Sequence, residues 1–112
     1  MGSEIAPALQ PWLDAHPLWT VVSSPQPGDA GRTRTELTRA FRFATFLDAM
    51  AFMQAAAPFI DQVDHHPRWE NVYRTVTVWL TTWDQGHTIS SRDIVLAEHL
   101  DTVFDAAPRT DA

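Results

Sequence analysis

Apolar and polar positions alternate along this chain with two different periods, and the switches between them mark its elements. Over residues 4–15, Ile5, Leu9, Trp12 and Leu13 fall near one stripe at helical spacing, with Pro7 in the first turn, where proline is tolerated. His16-Pro17 ends this helix, and residues 19–22 read as a short strand. Residues 23–31 are rich in Ser, Pro and Gly and read as a loop. Two strands flank it as a hairpin, the second over 33–43, where Leu37, Phe41 and Phe43 share a face. Thr45, with Asp48 three residues on, predicts a helix start. Phe46, Met50, Met53 and Ala57 follow at helical spacing until Pro58 marks the end.

A short extended piece is expected over 62–65, and the clearest strand over 72–82. There Val72, Val76, Val78 and Leu80 lie on one face, with Tyr73, Thr75, Thr77, Trp79 and Thr81 on the other. Residues 84–88 form a turn around Gly86. Ser90 and Asp93 then cap a last helix carrying Leu96, Leu100, Val103 and Phe104. It fades near Pro108 and leaves a disordered tail over 109–112. The order α-β-β-α-β-β-α predicts an α+β domain over 1–108: a four-stranded antiparallel sheet with three helices packed on one face.

Composition narrows the class. With 112 residues, 45% hydrophobic and 20% charged, the chain suits one globular domain rather than a disordered segment. The absence of cysteine excludes a disulfide framework, a thiol nucleophile and a thiolate metal site. Net charge is −6, lysine is absent and the eight arginines are scattered, so nucleic acid is not an expected partner. Residues 1–10 lack the basic-then-apolar pattern of a signal peptide, and no stretch suits a bilayer span. A cytoplasmic protein with no membrane partner is expected.

The unusual local feature is Asp61-Gln62-Val63-Asp64-His65-His66-Pro67, followed by Arg68-Trp69-Glu70-Asn71-Val72-Tyr73. Histidine titrates near neutral pH, and a neighbouring carboxylate orients the ring and fixes its tautomer. Pro67 holds His66 in extended backbone, so His65 and His66 point in opposite directions and have different roles. Other readings of these residues stand beside this one. The pair reads equally as two polar residues at a strand start. A metal site is a weaker alternative, because adjacent histidines chelate one ion poorly. A serine triad is weaker still, since no G-x-S-x-G elbow is present. His16 and His99 read as solvated surface residues, and His87 as a contributor from the turn. Trp12, Trp19 and Trp79 read as core or subunit-interface residues.

In order and spacing, Asp61, His65, His66, Pro67, Tyr73, Trp83 and Asp93 resemble the signature of the pterin-4a-carbinolamine dehydratases. Phe41-Arg42-Phe43-x-x-Phe46-x-x-Ala49-x-x-Phe52 is similar to that family's strand-to-helix passage, and the likeness covers nearly the whole chain. The resemblance implies a hydro-lyase that dehydrates 4a-hydroxytetrahydropterin to quinonoid dihydropterin. Such an enzyme restores the cofactor spent by aromatic amino-acid hydroxylases. It implies no metal and no organic cofactor, and a homodimer or homotetramer. His65 and His66 become the catalytic pair; Asp61, Asp64, Pro67, Trp83 and Asp93 become substrate-binding or supporting residues. Many members carry a third histidine where this chain has Trp83, which implies retained but slower turnover. The alternative is a pterin-binding or transcription-coactivator-like module that docks a protein through the Phe46-Met50-Met53 helix face.

Overall fold

The computed structural model describes residues 9–107. Its elements are α1 (Leu9–Ala15), β1 (Thr20–Gln26), β2 (Asp29–Arg42), α2 (Phe46–Val63), β3 (Arg68–Val72), β4 (Thr75–Leu80) and α3 (Ser91–Ala106), with a 3-10 turn at Trp83–Gln85. The strands form one antiparallel sheet in the order β1-β2-β4-β3. This is the expected α+β architecture. The parts of the first helix and of the tail assigned to residues 4–8 and 109–112 lie outside the described residues. No helix among the described residues is long and apolar enough to cross a membrane.

The core lies between the sheet and the helices. Leu37, Phe41 and Phe43 of β2 and its extension, with Val76, Val78 and Leu80 of β4, are buried. They meet Ala49, Phe52, Ala56 and Ile60 of α2 and Leu96, Ala97 and Leu100 of α3. Period-two burial on β4 against period-3.6 burial on α2 is what one apolar face per element requires. Aromatic rings dominate the centre, with Phe41–Phe52 centroids at 4.8 Å and Phe43–Phe104 at 5.3 Å. Arg39, on the same face, reaches over Phe41 to Asp101 at 2.6 Å, and Trp19 Nε1–H donates to the same carboxylate at 3.0 Å. α3 is thereby tied to both β2 and the start of β1.

Several expected boundaries move. The loop expected over 23–31 is mostly strand, and only Pro27-Gly28 turns, with Gly28 at φ 75°. Proline followed by a left-handed glycine builds a tight turn, and edge strand β1 tolerates Pro25 because its outward N–H is not needed. Pro58 does not end α2, which runs on to Val63. Continuing the helix buries Ile60 and packs Phe59 on the core, which outweighs the lost backbone bond. The extended piece expected over 62–65 is therefore the last turn of α2 and its cap. Asp64 closes the helix in left-handed backbone at φ 52°, a conformation Asp tolerates.

The strand expected over 72–82 is instead two strands joined at Tyr73-Arg74. Val72 ends β3 and is 63% exposed rather than sharing the buried face. The buried stripe of α2 is Ala49, Phe52, Ala56 and Ile60, offset from the expected Phe46-Met50-Met53-Ala57. Neither His16 nor His99 is simply solvated. His16 stacks on Trp12 at 4.1 Å and His99 on Phe59 at 3.9 Å.

Candidate functional site

The end of α2, the segment after β4 and the start of α3 meet around a recess of about 500 Å³. Asp64, His65 and His66 line it from the α2–β3 connection, Thr81, Thr82, Trp83 and Asp84 from beyond β4, and Arg92 from the first turn of α3. Three structural signals place these groups. The left-handed cap at Asp64 stops α2 and turns the chain toward the sheet. Pro67 then requires extended backbone at His66. On the far side, a bridge between Thr82 and Thr88 closes the loop that carries Trp83.

The two histidines occupy unlike surroundings. His65 is buried, and its Nε2 lies 2.7 Å from Oδ1 of Asp93, which is fully buried. The other Asp93 oxygen accepts from the Ser90 backbone N–H at 2.9 Å and from Thr82 Oγ1 at 2.8 Å. Three donors match the acceptor-only carboxylate, and the N-terminus of α3 favours negative charge there. His66 is exposed, with Nε2 at 3.8 Å from Asp61 and Nδ1 at 3.9 Å from Asp64. Both carboxylates stand in solvent, so these pairs are weak and adaptable.

Of the sequence-derived site residues, His65, His66, Asp64 and Trp83 line the recess, and Asp93 lies directly behind His65. Asp61 and Pro67 line a neighbouring, more apolar recess with Ala57, Ile60 and Trp69; His66 is common to both. Trp83 is 71% exposed at the mouth, a flat apolar surface beside the histidines. His87 does not line the recess. It sits behind the loop at φ 58°, its carbonyl accepting from the Thr35 N–H. Sequence reasoning missed Thr81, Thr82, Asp84 and Arg92. The polar run Thr81-Thr82-Trp83-Asp84 directly after an apolar strand was the available signal. Arg92 and Asp84 pair at 3.0 Å on the rim. Among the described residues no group of three or more His, Asp or Glu is arranged to hold a metal ion.

Comparison with known proteins points to one family. The family described as Pterin 4 alpha carbinolamine dehydratase matches residues 3–103. A curated protein of Rhodospirillum rubrum, named provisionally as a pterin-4-alpha-carbinolamine dehydratase, is 39% identical over 97 residues, covering 87% of this chain and 91% of its own. One of the same name from Nitrobacter winogradskyi is 46% identical over 70 residues, 62% of this chain and 68% of its own. A solved structure titled transcriptional coactivator/pterin dehydratase, from Brucella melitensis, superposes with a TM-score of 0.69 at 30% identity. It covers 85% of this chain and 90% of that one.

Proposed function

This chain belongs to the pterin 4 alpha carbinolamine dehydratase family, and on that premise we propose that it dehydrates 4a-hydroxytetrahydropterin to quinonoid dihydropterin, with His65 and His66 as the acid–base pair. The observation that carries the reading is a buried, carboxylate-held His65 beside an exposed His66 on one polar recess. The reaction breaks the bond between C4a and its hydroxyl oxygen. One proton must reach that hydroxyl as it leaves as water, and one must leave the adjacent ring nitrogen as the new double bond forms. Two imidazoles in unlike surroundings suit two opposite transfers, each positioned group contributing ~10²–10⁴-fold.

Asp64, at the recess, offers a carboxylate to the amino and ring N–H donors of a pterin, a charge-assisted pairing. Asp61 and Pro67 would bear on the substrate from the side of His66. Trp83 supplies a face on which the ring can stack. No metal or organic cofactor is invoked. Recycling of tetrahydrobiopterin for a hydroxylase is the corresponding physiological role. Self-association into a dimer or tetramer is supported by Phe46 and Leu47, which leave apolar surface exposed at the start of α2.

The test is dehydration of freshly generated carbinolamine. Purified wild type should accelerate it over the spontaneous rate, and His65→Ala and His66→Ala should each lose about 10²-fold or more while remaining folded. A wild-type protein that gives no acceleration would sink the enzymatic reading. The second reading is a protein-binding module, favoured by the exposure of Leu47 (74%). It predicts a stoichiometric protein partner, no turnover, and indifference to both histidine substitutions.

A further inference from the structure

Behind His65 runs a chain of hydrogen bonds whose direction follows from counting protons. Thr82 has one hydroxyl proton, and at 2.8 Å from Asp93 Oδ2 it is given to the carboxylate. Thr82 Oγ1 also lies 2.6 Å from Ser90 Oγ. With the Thr82 proton already used, Ser90 is the donor in that contact. Ser90 Oγ in turn accepts from the Arg92 N–H at 3.2 Å. The chain therefore runs one way, from the first turn of α3 through Ser90 and Thr82 to Asp93. Two donors occupy Oδ2, and Oδ1 faces His65 Nε2 at 2.7 Å. A carboxylate held in this manner accepts a hydrogen bond from the ring, so Nε2 carries the hydrogen. In the neutral ring the lone pair is then on Nδ1, which makes no hydrogen bond with the described residues.

We propose that Thr82 is a positioning residue of the site. Its hydroxyl holds Asp93, and through Asp93 fixes the tautomer and direction of His65, so that Nδ1 is the nitrogen offered to the substrate. Thr82, Ser90 and Asp93 are at most 1% exposed, so water has no access to replace a missing hydroxyl. Helix capping alone does not account for Thr82. The cap of α3 consists of Ser90 Oγ and the Asp93 carboxylate on backbone N–H groups, and the Thr82 hydroxyl satisfies none of these. The turnover readout rests on the dehydratase reading; the tautomer does not.

The experiment is nitrogen-15 NMR of the imidazoles in the full chain, together with steady-state kinetics. Wild type should show His65 protonated at Nε2. Thr82→Val keeps the shape and removes the hydroxyl. It should mix the two tautomers and lower kcat roughly ten-fold with little change in KM, a part of the ~10²–10⁴-fold that a positioned base supplies. Thr82→Ser should restore both. A wild-type His65 protonated at Nδ1 overturns the proposal, as does a Thr82→Val protein with wild-type spectrum and kcat. If Thr82→Val does not fold, the wild-type tautomer still decides. An inactive wild type with the Nε2 tautomer would end the dehydratase reading and leave the positioning role standing.

Discussion

Asp93 gives one carboxylate oxygen to the N-terminus of α3 and Thr82 and the other to His65. Removing it strands three donors where water cannot reach them, and each buried unsatisfied group costs about 1–3 kcal/mol. Asp93→Ala is therefore expected to lower unfolding free energy by roughly 3 kcal/mol or more in urea titration; a loss within error of zero would mean the network is not formed. Trp83 is the other informative residue. An indole N–H donates a hydrogen bond but exchanges no proton near neutral pH. Trp83→His should raise kcat about ten-fold or more if the mouth of the recess is a vacant proton-transfer position. An unchanged or lower rate would instead assign Trp83 a stacking role.

At the scale of elements, α2 carries the site because it does not stop at Pro58. Its last turn brings Asp61 to within 3.8 Å of His66, and its left-handed cap at Asp64 turns the chain into the recess. Pro58 is exposed on that helix, where an interior proline costs ~3 kcal/mol through its missing N–H and ring clash. Part of that cost is returned by restricting the unfolded chain, by about 0.4–1 kcal/mol. Pro58→Ala should thus stabilise the protein by about 1–3 kcal/mol, read as a raised Tm. A lowered Tm would show that the proline is needed for the local path of the helix. The capping box on α3 was legible in Ser90-x-x-Asp93, whereas the end of α2 was not. A proline reads as a stop until the burial of Phe59 and Ile60 beyond it is known.

Across the whole molecule, α2 and α3 are joined by the stack of His99 on Phe59, and burial lowers the His99 pKa from 6.5. The folded protein therefore binds this proton less readily than the unfolded chain does. The corresponding stability is fully present above 6.5 and is lost as pH falls through 6.5 toward the lowered folded value. His99→Phe should flatten that part of the stability–pH curve in parallel urea titrations. Curves of equal slope for the two proteins would show that the His99 proton is not linked to folding. Arg39, Asp101 and Trp19 hold α3 to the sheet through a separate network. These contacts lie two turns and more beyond Arg92, the α3 residue that lines the recess, whereas His66 on the opposite side is exposed.

Local chemistry was decided by the sequence alone. Strand alternation at Val76, Val78 and Leu80, the Ser90–Asp93 box, the Pro67 restraint on His66 and the spacing from Asp61 to Asp93 are properties of neighbouring residues, and they sufficed for fold class and family. Tertiary structure alone decided which carboxylate serves which histidine. Asp61 and Asp64 are nearest in sequence to both, yet His65 turns inward to Asp93, and only His66 stays with the near pair. Thr82 likewise had no local signature, because its role exists only where the end of β4 and the start of α3 meet in a space closed to water. Which buried donor finds which acceptor depends on that packing, and no spacing along the chain encodes it.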